Sequence, residues 1–537
     1  MNTTERATKS DWAAFAVLAV MALTPALVAG NSDFTFSDAS RHAMDGVFVL
    51  DALAEMPVRN PVEWANRYYL TSPALGIGRY PPLFAVVQAP FYAALGVCPF
   101  AGRLAVAIMW LGGLVFFYET LRVQTGRWGG LFGAAVLAAS PASIRWGADV
   151  MLELPATALL LAGSYFYLRY LSLGSSWRLA AATMLVCLAG WTKQPAALLV
   201  AAMVIHLLVL RRFVVREALP AFACAVLVLA PLGVLSAVFG RANLAIVSGA
   251  GRAYPLWSAG NWLYYIYQIP RWYLGWPLAA CVLAGVVLAI LGRARGEGRF
   301  YLLWAAVFYV FFSLVGLKSS RLAMFWTPGL AWFAATAFSA FAGAANRMLA
   351  VLSCAAAVAA VCFTSVNAVG KLPLRGDELA AVAQEVMSFA PKRVFYAGPQ
   401  NGTFIFRLRQ IGGRNRPVTI RDSKVLYYDF IARELGRTER PWTIDEIRAA
   451  IATAAPDVMV VEHSWQTEGT PPVAVKVLMD YTKTGDFERV GAVRRASGRA
   501  AGEYFEIFTY VGPRRPGPIG IPMPGVGMEL ELPGEGL

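Results

Sequence analysis

Up to residue 369 the chain alternates long apolar runs with short polar stretches. Runs of spanning or near-spanning length lie at about 12–30, 101–121, 128–142, 153–171, 178–192, 194–210, 217–239, 272–292, 299–317, 320–341 and 347–369. A transmembrane helix needs roughly 20 apolar residues. A twelfth run, residues 82–97, "PLFAVVQAPFYAALGV", decides how the others are threaded. If it spans, the clusters of Arg211, Arg212 and Arg216 and of Arg293, Arg295 and Arg299 fall outside, twice against the preference for basic cytoplasmic loops. If it lies along the surface or re-enters, those clusters become cytoplasmic together with Arg122, Arg127, Arg178, Arg347 and the basic N-terminus. Its shortness, the Pro81-Pro82 start and Pro90 also suit interfacial helices. The pattern predicts about 11 transmembrane helices, the first retained rather than cleaved as a leader. Outside the membrane it places residues 31–100, the loop 143–153, the turn at Lys193, residues 240–271, the turn from Lys318 to Arg321, and everything after 370.

Beyond residue 370 the pattern changes. An amphipathic helix ("GDELAAVAQEVMSFAP") is followed by short β-rich runs ("RVFYAG", "DVMVVEH", "EYFEIFTYV") and charged loops. Strands alternating with helices predict a small extracytoplasmic α/β domain over residues 371–511. Residues 512–537 are rich in Pro and Gly with little to bury and are expected to be disordered. The expected organisation is thus an all-α polytopic membrane domain, 1–370, with interfacial helices in its first outer loop, then the α/β domain and the tail.

Composition agrees. The chain is 58% hydrophobic and 15% charged with mean hydropathy +0.53, where soluble proteins carry about 25% charged residues. The net charge of +14 reads as topology, because the basic residues sit in short loops; no nucleic-acid partner is expected. Six cysteines, Cys98, Cys187, Cys224, Cys281, Cys354 and Cys362, fall in or beside apolar runs without metal-ligand spacing. The expected location is the cytoplasmic (inner) membrane, multi-pass, with a cytoplasmic N-terminus and an extracytoplasmic C-terminal domain.

The candidate chemistry lies on the outer side. On a helix beginning near Asp38, the residues Asp38, Arg41, His42 and Asp45 share one face. Asp38 suits a base for a hydroxyl or amine acceptor, or a ligand for a divalent cation (Mg2+ or Mn2+) held between carboxylates. The alternative is a solvated amphipathic helix with Asp38 as N-cap. In the next outer loop Arg145, Asp149 and Glu153 recur at i, i+4, i+8, which a short helix would align, with Glu153 at the mouth of a span. Two i, i+4 ion pairs are the plainer reading. Lys193, Lys318 and Arg321 are outer cations, suited to a lipid phosphate or simply snorkelling to headgroups. The aromatic stretches at residues 67–87 and 255–276 read as interfacial anchors, or as surfaces that stack on sugar rings or cover a lipid tail.

Taken together, Asp38 after the first span, "YPPLF", "SPAS…LELP", "TKQP" and a late K-x-x-R turn resemble the GT-C superfamily of polytopic glycosyltransferases. The similarity is greatest to glycosyltransferase family 39, the dolichyl-phosphate-mannose-protein mannosyltransferase family, and its bacterial aminoarabinose transferase relatives. The resemblance covers residues 10 to about 370. It implies inverting transfer of a sugar from a polyprenyl-phosphate donor to an extracytoplasmic acceptor. It further implies that Asp38 is the essential first-loop carboxylate, as base or as metal-bound orienter, that Glu153 is the second-loop acid, and that Lys193 matches the lysine of the family's "TKG", with Gln194 in place of the glycine. Relatives carry a lysine directly before the "PPLF" prolines at the donor phosphate. This chain has Tyr80 there, which leaves Arg79 to take that role. A polytopic transporter or lipid-linked sugar flippase is the alternative, although the charges gather at outer edges and no internal repeat is visible.

Overall fold

A computed structural model describes residues 9–77, 79–239, 252–293, 298–429, 437–464, 470–495, 504–523 and 528–534. Its helices follow the apolar runs. α1 (Lys9–Ala29) is succeeded by three helices before the next long one: α2 (Ser37–Glu55), α3 (Pro61–Thr71) and α4 (Leu83–Leu95). α4 has 13 residues, about 20 Å at 1.5 Å per residue, against a hydrocarbon core of about 30 Å. It buries Gln88 and Tyr92, and the Gln88 amide donates to the His42 carbonyl (3.1 Å). The run 82–97 therefore packs on α2 rather than spanning.

α5 (Pro99–Ala139) holds two of the expected spans. At Gly126 the backbone leaves the helix (φ 76°, ψ 171°), a left-handed region that glycine enters without strain. The chain folds back there so closely that a Cβ on Gly130 would lie 2.7 Å from the Arg122 nitrogen. Asp11 of α1 meets Arg122 (3.5 Å), Arg127 (3.9 Å) and the Tyr118 hydroxyl (2.9 Å), so the N-terminal end of α1 and this reversal lie at one end of the bundle. The short α6 (Pro141–Gly147) leads into α7 (Glu153–Leu173) and α8 (Ser176–Thr192). Then come α9 (Leu199–Val209), α10 (Val215–Phe239), α11 (Ala259–Gln268), α12 (Gly275–Leu288), α13 (Gly298–Leu314), α14 (Thr327–Ala342) and α15 (Arg347–Gly370). By length and composition, four of the described helical segments are long and apolar enough to cross a membrane alone: Asp11–Ala29, Pro99–Ala139, Val215–Val238 and Arg347–Gly370. The remaining bundle helices are shorter or more polar.

The C-terminal region is built on a five-stranded sheet. β1 (Arg393–Ala397) pairs in parallel with β2 (Val418–Arg421) and β3 (Val458–Glu462); β5 (Tyr504–Tyr510) pairs antiparallel with β3 and with β4 (Phe487–Arg494), which gives the order β2-β1-β3-β5-β4. Strand alternation sorts the two faces. Val394, Tyr396, Val458 and Val460 pack under α16 (Glu378–Ser388) and α17 (Asn401–Gly412), whereas Phe395, Ala397, Met459 and Val461 face α18 (Ile444–Ala454) and α19 (Val473–Tyr481). Residues 512–537, expected to be disordered, include a hairpin of Ile519–Met523 and Met528–Leu532. Ile519, Ile521 and Leu532 are buried in the second of these cores. Composition hid them because three apolar side chains suffice once a core is present to receive them.

α17 fixes this region on the membrane body. Arg407 donates to Asp33 (2.8 Å) and to the Asn31 carbonyl (2.6 Å), and Arg409 grips Asp51 with two hydrogen bonds (3.0 and 2.5 Å). Asp33 also takes the Leu379 amide (2.9 Å), Asp51 the Tyr68 hydroxyl (2.9 Å), and Arg416 donates to Ser72 (2.6 Å). Removing one partner of such a buried pair strands the other, at about 3–5 kcal/mol. Arg409→Ala is accordingly expected to expose the junction near residue 375 to limited proteolysis in detergent; a wild-type digestion pattern would refute the docking role.

Asp422, fully buried after β2, gives a pH signature. Burial pushes its carboxyl up to about 7, despite the Ser423 amide and Arg421. The folded state therefore holds a proton that the unfolded chain, with a carboxyl near 3.9, releases. Thermal stability should fall as pH rises from about 4 to about 7 and then level off. Asp422→Asn should flatten that fall, which differential scanning of both proteins across this range would read.

Candidate active site

α2 begins where the sequence predicts, but its N-cap is Phe36 rather than Asp38. The amides of Thr35 and Phe36 are satisfied instead by Asp149 Oδ2 (3.0 and 3.1 Å), which also accepts from the Thr35 hydroxyl (2.7 Å). Asp149 lies 3.9 Å from the fully buried Arg103, whose guanidinium donates to the carbonyls of Ala148 (2.8 Å), Gly30 (2.8 Å) and Ser32 (2.9 Å). Asp149 thus shapes the entry into α2. The expected alignment of Arg145, Asp149 and Glu153 does not form, because α6 ends at Gly147 and α7 starts at Glu153. Arg145 instead lies over the Trp146 ring (5.2 Å).

Asp38, released from capping, points at Arg321. Arg321 Nη1 donates to Asp38 Oδ2 (2.7 Å), while its Nε lies 3.5 Å from Glu153 Oε1. Lys193 donates to the same Glu153 oxygen. One guanidinium therefore joins the first-loop and second-loop carboxylates, with Lys193 closing the far end. The guanidinium also covers the Phe36 ring (4.7 Å). Burial alone would raise the Asp38 carboxyl, but Arg321 above all, with His42 and Arg41, holds it well below the usual carboxylate range. Among the described residues, its Oδ1 faces Arg41, at 3.6 Å. Glu153 Oε2 is buried with no hydrogen-bond partner among the described residues.

Tyr80 directly precedes the proline pair Pro81-Pro82. Its hydroxyl lies 3.5 Å from Asp38 Oδ2, its ring meets His42 edge-on (4.7 Å), and Arg79 lies over it (5.4 Å). Burial first, then Asp38, pushes the phenol up, so it stays protonated. The loop carrying it is pinned at both ends. Asp45 accepts from the Gly76 and Ile77 amides (2.7 and 2.9 Å), and Gln194 donates to the Arg79 carbonyl (2.9 Å). Through the Arg79 carbonyl, Gln194 is thus tied to the loop that carries Tyr80. Asp45, 3.8 Å from His42, serves as a clamp.

Lys318 does not join the cluster. Its ammonium donates to the carbonyls of Phe312, Ser313 and Val315 (2.8, 2.9 and 2.9 Å), closing the C-terminal end of α13. The turn sends Lys318 and Arg321 to different places. Sequence reasoning also missed Arg103, a buried cation in an apolar run whose isolation there was the available signal.

The donor set does not fit a divalent cation. Among the described residues no three His, Cys, Asp or Glu converge, and Asp38 and Glu153 are both turned to Arg321, so a guanidinium already holds the position between the carboxylates.

Comparison with known proteins supports this architecture. Residues 79–236 match the family model described as dolichyl-phosphate-mannose-protein mannosyltransferase. No curated protein sequence matches the chain. Among solved structures, the crystal structure of ArnT from Cupriavidus metallidurans bound to undecaprenyl phosphate is similar with TM-score 0.64 at 14% identity, covering 93% of this chain and 98% of that one. The arabinofuranosyltransferase AftD from Mycobacteria gives 0.53 at 15%, covering 96% and 41%. The Archaeoglobus fulgidus oligosaccharyltransferase, in complex with Zn and sulfate, gives 0.56 at 11%, covering 85% and 68%. The family match takes in the segment that holds Tyr80, Glu153 and Lys193, and over nearly its whole length the chain has the polytopic fold of these glycosyltransferase structures.

Proposed function

We propose that the chain is an inverting glycosyltransferase of the inner membrane that moves a sugar from a polyprenyl-phosphate donor to an extracytoplasmic acceptor, a protein, lipid or envelope glycan. One observation carries the reading: Arg321 links Asp38 and Glu153 in a buried cluster closed by Lys193. That cluster has the parts the reaction needs. Asp38 Oδ1, which among the described residues faces Arg41 at 3.6 Å, is the oxygen that takes the acceptor proton as the nucleophile attacks. Arg321 and Lys193 face the leaving phosphate, whose charge grows as the glycosidic bond breaks. Glu153 holds both cations in place. Arg79 and Tyr80 present the donor side of the loop, oriented by Gln194. The N-terminus is cytoplasmic, and the C-terminal domain lies over the outer face.

The test is transfer of radiolabelled sugar from a panel of polyprenyl-phosphate sugars in membranes containing the protein. Label passing from one donor to an endogenous acceptor, with inversion at the anomeric carbon, is the expected result. Since the cluster is built from guanidinium and ammonium, EDTA should leave the rate unchanged. Abolition by EDTA with recovery on Mg2+ would overturn the metal-independent mechanism, and vesicle uptake of a donor without transfer would replace the enzyme with a transporter.

A further inference from the structure

α11 turns one face to the bundle and the other away from it. Helical spacing puts Leu263, Ile266 and Tyr267 on one side, and all three are exposed. Trp257 ahead of the helix and Trp276 after it are 79% and 70% exposed. Between residues 252 and 276 the sequence holds no Asp or Glu, and its charges are Arg252 and Arg271. The Arg271 guanidinium lies over the Tyr267 ring (3.8 Å). The same exposed surface continues through Trp272, in the wide turn Ile269–Tyr273, to Trp276, Leu283 and Val287 along one side of α12. An apolar strip on the outside of a polytopic bundle faces lipid, so the face of α11 runs on from a lipid-facing one. With 10 residues, about 15 Å, α11 is too short to span.

The inner face of α11 grips the turn that carries Arg321. Asn261, fully buried, donates to the carbonyls of Leu256 and Ser313 (both 2.9 Å), and the Trp262 carbonyl accepts from the Tyr309 hydroxyl (2.5 Å). The Lys318 ammonium lies over the Tyr265 ring (5.4 Å). Just past α11, the Tyr273 hydroxyl donates to the Ser320 carbonyl (2.5 Å), and its ring meets Trp326 edge-on (5.7 Å). Ser320 is the chain neighbour of Arg321, whose guanidinium reaches Asp38 and Glu153. The residues on either side of Arg321 are therefore held by α11 and the turn after it, and a shift of that segment is passed to the guanidinium.

We infer that the exposed face of α11, with Trp257, Trp272 and Trp276, lies in the headgroup–acyl boundary of the membrane leaflet at the Arg321 end of the bundle, and that this contact sets where Arg321 stands. Tryptophan and tyrosine favour that boundary, leucine and isoleucine reach below it, and the two arginines meet lipid phosphates with no carboxylate to oppose them. The leaflet thereby becomes part of the support of the Asp38–Arg321–Glu153 bridge. The inference goes beyond the transferase reading and does not rest on it.

The test uses the full-length protein in vesicles of phosphatidylethanolamine and phosphatidylglycerol, doped with a phospholipid that carries a photoreactive diazirine on its acyl chain. Mass spectrometry should find lipid adducts on Leu263, Ile266, Tyr267 or the exposed tryptophans beside them. Leu263→Asp, at an exposed position that leaves the bundle core intact, should abolish those adducts. It should also speed hydrogen exchange in the turn Lys318–Leu322 about tenfold, roughly the hold of one net hydrogen bond. Leu263→Trp should keep both at the wild-type level. Tyr273→Phe should speed exchange in the same turn yet keep the adducts, because it cuts only the link to Ser320. Absence of adducts from this face in the wild type, or crosslinks there to a second copy of the chain in place of lipid, would overturn the membrane contact. Exchange in the turn unchanged in both Leu263→Asp and Tyr273→Phe would overturn its hold on Arg321. Neither readout involves sugar transfer, so a failure of the transferase reading is told apart from a failure here.

Discussion

Asp38→Asn should lower sugar transfer by about 10²–10⁴-fold, the usual span for losing a positioned general base, with the donor KM little changed. The amide keeps the shape of the carboxylate and one oxygen for Arg321, but it accepts no proton. The split between kcat and KM is the diagnostic, because a residue that merely held the donor would raise KM instead. Since the ion pair keeps Asp38 deprotonated through ordinary pH, the wild-type rate should show no acidic limb from this group above about pH 4. A variant with at least half the wild-type rate would sink the assignment.

Arg321→Gln should be the most damaging single change, because it fails in two ways. It leaves Asp38 without its 2.7 Å partner and removes a cation 3.5 Å from the fully buried Glu153. Breaking a buried pair from one side costs about 3–5 kcal/mol. A clear drop in the detergent-unfolding midpoint should accompany loss of transfer. Arg321→Lys should recover little, since one ammonium cannot reproduce the planar fork that meets both carboxylates. Unchanged unfolding would show that the bridge does not hold the outer loops together.

The bundle was legible because apolar length and basic loops report the membrane directly. Even the decision against a span at 82–97 came from charge placement, and α4 is correspondingly short and packed on α2. Helical spacing also predicted the shared face of Asp38, Arg41, His42 and Asp45. Partners were harder. Arg321 and Asp38 are 283 residues apart, and no periodicity links them. Asp149, spaced to align with Arg145 and Glu153, and Lys318, an outer cation suited to phosphate, read as substrate-binding, yet each satisfies backbone groups instead. Neither use has a side-chain spacing to detect. Asp33 and Asp51 pair with Arg407 and Arg409 from far along the chain, so their docking role was equally hidden.

Those last pairs set an order of assembly. A ribosome delivers α2 early and α17 more than 340 residues later, and until then Asp33 and Asp51 have no arginines from α17 to meet. The segment from Asp33 to Asp51 must wait, unfinished, while every later helix is made. It then takes its final shape only once α17 has folded, so a half-made chain carries Asp38 and Glu153 without the arginine pairs that pin α2 beside them.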